Sequence, residues 1–182
     1  MPSYKLTYFA MRGRAEPIRM LFALAEVPYE NVRVPMNMEE WLAIKSSFYG
    51  TNNFEAAQID AIADQIVDFS VEYVPWYFAQ IGFKEGDAPK LYQDVFLPAR
   101  AKHFPIFAGI LKKSKSGFLV GEKVSFADVS LAAQMEFLEA IVPESEKETL
   151  YDGFPELKEH KNKIFAIPAI KAHIDSRPDD TR

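Results

Sequence analysis

Residues 53–78 read NFEAAQIDAIADQIVDFSVEYVPWYF, with apolar side chains at Ile59, Ile62, Ile66, Phe69, Tyr73 and Trp76. Steps of three and four keep these on one side of an α-helix, as the stripe that a helix buries. Asn52 or Asn53 can cap its start, and the helix should reach about Phe78, kinked near its end by Pro75. Downstream the helical period continues. After a loop over GFKEGDAPK (82–90), Leu91 to about Lys113 should be a second long helix, with Tyr92, Val95, Phe96, Ala99, Phe107 and Ile110 inward. Pro98 and Pro105 should bend or break it. The sharpest local signal is Val124-Ser125-Phe126-Ala127-Asp128-Val129. Ser125 fits an N-cap, Asp128 at the third helical position can reach back to the cap's N–H, and Val124 with Val129 can form the hydrophobic staple. That helix runs to about Ile141, and two shorter ones start near Phe154-Pro155 and at Pro168.

The first fifty residues follow a different rule. Tyr4 to Phe9 alternates as a strand, with Tyr4, Leu6 and Tyr8 on one face. Ala15 to Glu26 is helical, with Pro17 in its first turn and Pro28 beyond its end. Tyr29 to Val34 is a second strand, and a short helix follows with Asn37 as N-cap, Glu40 three residues on, and Trp41 and Ile44 as its apolar residues. One helix between two strands implies a βαβ unit with parallel strands. Two parallel strands leave unpaired edges and one bare face, so this half of the chain is physically incomplete.

Composition narrows the chemistry. The 182 residues are 48% hydrophobic and 14% aromatic, enough for a substantial core. There is no Cys, which excludes disulfides, thiolate metal sites and a cysteine nucleophile. His103, His160 and His173 lack ligand-like spacing. The net charge of -5 and the absence of a basic run give no support to a nucleic-acid or anionic-membrane partner. The N-terminus has no signal-peptide pattern and no apolar run is long enough to span a bilayer, so a cytoplasmic protein is expected.

Six stretches carry a resemblance: residues 2–34, EEWLAIK (39–45), AAQIDAIADQIVDF (56–69), VFLPARAKHFPIF (95–107), SGFLVGEKVSFADVSLAA (116–133) and GFPELKEHKNKIFAIPAIKAHIDSRP (153–178). In this order they resemble the sigma-class glutathione transferases common in invertebrates. The resemblance implies a thioredoxin-like domain followed by an all-helical domain, in a homodimeric, cytoplasmic detoxification enzyme. Reduced glutathione is its cosubstrate, no bound cofactor is implied, and the second substrate is a small hydrophobic electrophile. The fold class expected is therefore α+β, mostly α: a truncated thioredoxin-like domain over residues 1–50 and a helical domain over 51–182.

The truncation is a departure from the family. After Lys45 the family continues with a Met-Pro-Phe-Gly-Gln-Leu-Pro-type stretch, a β-hairpin and a helix, whereas this chain reads SSFYGTNN (46–53). A hairpin, a helix and their linkers amount to roughly 30 residues. In the family they supply the cis-proline that pairs with the cysteinyl part of glutathione and the Gln-Ser pair that binds its γ-glutamyl carboxylate. A skipped exon or a mistaken gene model would leave such a clean gap.

By the resemblance, Tyr8 is the catalytic residue, donating its O–H to the sulfur of glutathione. Arg14 supports it, Trp41 and Lys45 meet the glycyl carboxylate, and Asp64 reaches the γ-glutamyl amino group across a dimer interface. Without the family, the same residues read as a packed strand Tyr, a solvated loop Arg, a packing Trp with a solvated Lys, and an exposed helix Asp. Asp128 belongs to folding through its cap, and Tyr92, Phe104 and Phe107 read as core rather than as an electrophile pocket. Two functions follow. One is conjugation of glutathione to electrophiles. The other is a catalytically impaired relative that serves a structural or ligand-binding role.

Overall fold

The described residues between 4 and 34 make two parallel strands and one helix. The computed structural model describes residues 4–9, 16–34 and 48–177, and the chain divides into two units, Met1–Ser47 and Phe48–Arg182. In the first unit, β1 (Tyr4–Phe9) and β2 (Tyr29–Val34) pair in parallel, with Tyr4 opposite Tyr29 and Tyr8 opposite Arg33. They are joined by α1 (Glu16–Leu24), shorter at its C-terminal end than the sequence pattern suggests. Glu26 there adopts the left-handed conformation, φ 52°, that helix ends usually give to Gly. Phe22 of α1 stacks on Tyr29 at 4.4 Å and lies 5.5 Å from the Tyr4 ring. Arg19, buried, donates to Glu16 at 2.8 Å and to Asn31 at 3.3 Å, which ties α1 to β2. The short helix expected after Pro35 falls outside the described residues.

The second unit is a helical bundle. Its first helix, α2 (Asn53–Gln80), is capped by Asn52, whose Oδ1 accepts from the N–H groups of Phe54 and Glu55, each at 3.0 Å. All six stripe residues from Ile59 to Trp76 are buried. At roughly 1.5–3 kcal/mol per fully buried large apolar side chain, that stripe is a major part of the bundle's stability. The helix continues through Pro75, which is exposed, so solvent can serve the carbonyl that proline leaves unbonded.

The second long helix begins earlier than expected and is built in pieces. Asp87 caps α3 (Ala88–Leu91), accepting from the Lys90 N–H at 3.0 Å, and Pro89 stands in the first turn. A π-helical turn, Tyr92–Phe96, follows, and α4 (Leu97–Lys113) completes it. The π turn shifts the ladder by one residue, with the Leu97 N–H reaching the Tyr92 carbonyl. Pro98 thereby falls in the first turn of α4, where a missing donor costs little, and it does not break the rod. Pro105 sits inside α4 on its exposed side and does not break it either.

Three more helices close the unit: α5 (Phe126–Ile141), α6 (Pro155–Phe165) and α7 (Pro168–Asp175). The capping box is formed. Ser125 Oγ accepts from the Asp128 N–H at 3.4 Å, and Asp128 Oδ2 accepts from the Ser125 N–H at 2.8 Å and its hydroxyl at 2.6 Å. Asp128 Oδ1 also accepts from the Leu119 N–H at 2.7 Å and from His160 Nε2 at 2.9 Å. One carboxylate therefore ties the loop before α5, the cap of α5 and the buried face of α6. The linker joins the same end: the Phe48 carbonyl accepts from the Phe126 N–H at 2.9 Å, and the Tyr49 ring stacks on Phe126 at 5.9 Å. Gly50, at φ 78°, passes so close to Glu55 that an added Cβ would lie 2.5 Å from that residue's Cβ. Elsewhere Arg100 donates to the carbonyls of Leu150 at 2.8 Å and Asp152 at 2.7 Å, fixing the turn before α6.

Burial alone would raise the Asp128 carboxyl, but the hydrogen bonds from His160, Ser125 and Leu119 outweigh it and hold the group below its ordinary range. A carboxyl with a depressed folded pKa contributes stability above its unfolded value, near 3.9, and loses it as pH falls through the folded value. Asp128→Asn should flatten the acid limb of the melting-temperature profile below about pH 4. Asp128→Ala, which leaves the buried donors unpaired, should cost on the order of 3–5 kcal/mol in denaturant unfolding. Loss of less than about 1 kcal/mol, the size of an ordinary cap, would show that the shared carboxylate adds nothing.

Candidate functional site

Of the five residues that the resemblance assigns to the glutathione site, Tyr8 and Asp64 are the two that the structure describes. Tyr8 lies on β1, half-buried, with Arg33 as its neighbour in the sheet register. Side chains alternate along strands. Tyr4 and Tyr29 both meet Phe22, and Asn31 meets Arg19, so Tyr8 and Arg33 fall on the face of the sheet that carries α1. A phenol there is a donor and acceptor on a strand end beside a guanidinium-bearing position. The open groove of this unit, lined by Phe22, Ala23, Glu26, Val27, Pro28 and Tyr29, does not include it. Arg14, Trp41 and Lys45 lie outside the described residues.

Asp64 is in the second unit, exposed on α2 between Asp60 and Asp68, which are also exposed. Val67 and Val71 share that outer side and are largely exposed too. Tyr8 and Asp64 therefore lie in different units. Tyr92, Phe104 and Phe107 are buried in the apolar core, the reading preferred for them.

Two polar clusters were not legible in the sequence. His103 is fully buried; its Nδ1 lies 2.7 Å from Gln65 Nε2 and its Nε2 3.2 Å from Glu72 Oε2. The second contact has the distance of an ion pair without hydrogen-bond alignment. Glu72 is also paired with Lys102, and the hydrogen bond from that ammonium lowers its carboxyl pKa against a smaller opposing effect of burial. Between α2 and α5, Ser70 Oγ donates to Gln134 Oε1 at 2.9 Å and Gln134 Nε2 donates to Tyr73 Oη at 2.7 Å. Both clusters join helices that are distant in sequence, and no spacing rule could have paired them. Each reads as a seam within the bundle. Among the described residues, no three His, Asp or Glu side chains are gathered as a metal site.

Comparison with known proteins gives the clusters their setting. The family model described as Glutathione S-transferase, C-terminal domain, matches residues 68–177. A curated relative, probable glutathione S-transferase 9 of Caenorhabditis elegans, is 34% identical, with all of both chains covered in an alignment of 214 positions. The chain belongs to the glutathione S-transferase family. Two solved structures agree in fold. Monomeric Na-GST-3 of the hookworm Necator americanus is 38% identical, covers 98% of both chains and has a TM-score of 0.66. A Nu-class glutathione S-transferase of Haemonchus contortus is 37% identical, covers all of both chains and has the same TM-score.

The fold is thus that of this family of enzymes, with a helical C-terminal domain that follows in the chain a sheet of two strands among the described residues. The transferase's bundle holds the family-matched residues, and Tyr8 stands on the strand that opens the chain.

Proposed function

We propose that this chain is a sigma-type glutathione transferase that conjugates reduced glutathione to hydrophobic electrophiles, with Tyr8 holding the cosubstrate's sulfur as a thiolate. The observation that carries the reading is a family match along the whole chain together with a half-buried phenol on its first strand. The chain has no Cys, so the nucleophilic sulfur comes from the tripeptide. A phenolic O–H donated to the sulfur favours its anionic form and lowers a thiol pKa from about 8.5. The thiolate attacks an electrophilic carbon, a C–S bond forms, and the leaving group departs with the bonding pair. Catalysis then consists of activating and placing a borrowed nucleophile.

Within this proposal Trp41 and Lys45 hold the glycyl carboxylate by an indole N–H and an ammonium, and Arg14 supports the Tyr8 site. Asp64 serves the γ-glutamyl amino group of a second subunit, which makes the working form a homodimer in the cytoplasm. Its exposure on α2 is compatible with that role. No helix among the described residues is long and apolar enough to cross a membrane. The sigma assignment rests on the six motifs in order; the Nu-class neighbour shows that closely similar structures carry another class name. Residues 1–50 are the glutathione-binding domain and 51–182 the helical domain.

A second reading is favoured by one observation, the sheet of two strands. The first relative needs 214 alignment positions where this chain brings 182 residues, which supports an internal deletion; its place after Lys45 rests on the sequence motifs. A transferase that has lost the cis-proline and the Gln-Ser pair loses much of its grip on the tripeptide. It would then persist as a structural or ligand-binding relative.

Tyr8→Phe should lower turnover with an aryl halide by on the order of a hundredfold with the fold intact by circular dichroism, the scale seen when an oxyanion donor is removed. Unchanged turnover eliminates Tyr8 as the activating group. Isothermal titration with reduced glutathione separates the two readings: micromolar affinity supports the enzyme, and no detectable heat supports the impaired relative. In a dimer, Asp64→Ala should weaken that affinity by roughly tenfold, the cost of one charge-assisted hydrogen bond. An unchanged value removes Asp64 from the site.

A further inference from the structure

Tyr8 and Arg33 are the last residues but one of two parallel strands, β1 and β2, and they face each other in the register. Ligands of open α/β sheets bind at the carboxyl ends of the strands, so the pair stands at the edge where a ligand is expected. Register partners on these strands are near enough for their side chains to interact. Lys5 and Glu30, opposite each other on the other face, form an ion pair at 3.3 Å. On the face of Tyr8, the register partners Tyr4 and Tyr29 both meet the Phe22 ring. The helix α1 runs back along this face, with Phe22 at the amino ends of the strands and Arg19 at Asn31 in the middle. Its charged groups toward the carboxyl ends are therefore Arg19 and Glu16, and these two are engaged with each other at 2.8 Å. Among the described residues, no carboxylate lies within ion-pair distance of Arg33, which is exposed. A guanidinium keeps its proton at every working pH, so Arg33 is a fixed positive charge opposite a phenol.

We propose that Arg33 is a positioning residue for the thiolate: its charge favours the anionic sulfur that the Tyr8 hydroxyl holds. The role rests on the transferase reading and adds a residue to that same site. The phenol contributes one hydrogen bond to the anion, and a nearby cation acts on the charged form alone, so the two effects lower the thiol pKa together. The bound thiol then gives its proton to water at a lower pH, and a larger share of bound tripeptide is thiolate near neutrality. Arg33 forms no bond to the reacting atoms in this role. It acts through the field at Tyr8, and because it is exposed that field is weakened by salt.

The pH profile of kcat/KM for an aryl halide, measured on the full chain at saturating reduced glutathione, tests the role of Arg33. Its rising limb reports ionisation of the bound thiol. Arg33→Gln should move that limb to higher pH by about 0.5 unit or more, with turnover lost on the acid side and regained above the limb. Arg33→Lys, which keeps the charge, should return the limb toward its wild-type position. A purely structural fault would instead lower turnover at every pH and leave the limb where it was. A smaller shift in Arg33→Gln, or a limb in Arg33→Lys displaced as far as in Arg33→Gln, overturns the role. Tyr8→Phe, run in parallel, separates this failure from that of the transferase reading. If Tyr8→Phe moves the limb and Arg33→Gln does not, the reading stands and Arg33 is removed from the site. If the wild-type chain turns over nothing at any pH, or Tyr8→Phe leaves its profile unchanged, the reading fails and the role of Arg33 falls with it.

Discussion

A single buried carboxylate organises the helical half of this protein. Asp128 accepts from the Leu119 and Ser125 N–H groups, the Ser125 hydroxyl and His160. These donors come from a loop, a helix cap and another helix, so the charge is surrounded by hydrogen bonds that replace its lost hydration. An isolated buried carboxylate would shift its pKa upward and become neutral; this one is held ionised. The geometry that satisfies the charge also fixes where α5 starts, how the preceding loop closes and which way α6 faces. Phe48 and Tyr49 then anchor the chain's entry into the bundle on the first residue of α5.

The same bundle also has polar seams at the edge of its apolar core. Gln134 is used at both amide ends, between Ser70 and Tyr73, and Arg100 serves the carbonyls of the turn after α5 while lying over the Phe104 and Phe154 rings at 5.2 and 5.3 Å. Buried polar groups with partners cost little, and without partners they cost much. Such contacts therefore discriminate against alternative helix registers more than they add raw stability.

The sequence disclosed these features unevenly, for physical reasons. Periodicity located every long helix, because a 3.6-residue repeat is printed in the order of apolar residues such as Ile59, Ile62 and Ile66. It misjudged Pro98, because a proline's cost depends on the ladder around it, and the π turn before it cannot be read from residue types. It missed α3, because Asp87 and Pro89 read as loop residues until a cap is considered. The capping box of Ser125 and Asp128 was legible since it is local, whereas the reach of Asp128 to His160, 32 residues away, was not. In the candidate site, Tyr8 on a strand and Asp64 on an exposed helix face followed from pattern, but their chemical roles came only through the family resemblance.

In the proposed reaction, a phenol on a strand is not sufficient by itself. A phenol lowers a thiol's pKa only if it is held at hydrogen-bond distance while the thiol is held too. Holding requires a scaffold whose own stability exceeds the cost of fixing both groups. The bundle has a rigid apolar core, with large side chains such as Trp76, Phe69 and Leu131 fully enclosed. Among the described residues of the first unit, Phe22 packs against Tyr4 and Tyr29, and Arg19 ties α1 to β2. Within the proposed reaction, positioning both the phenol and the tripeptide is therefore what the scaffold around Tyr8 has to supply.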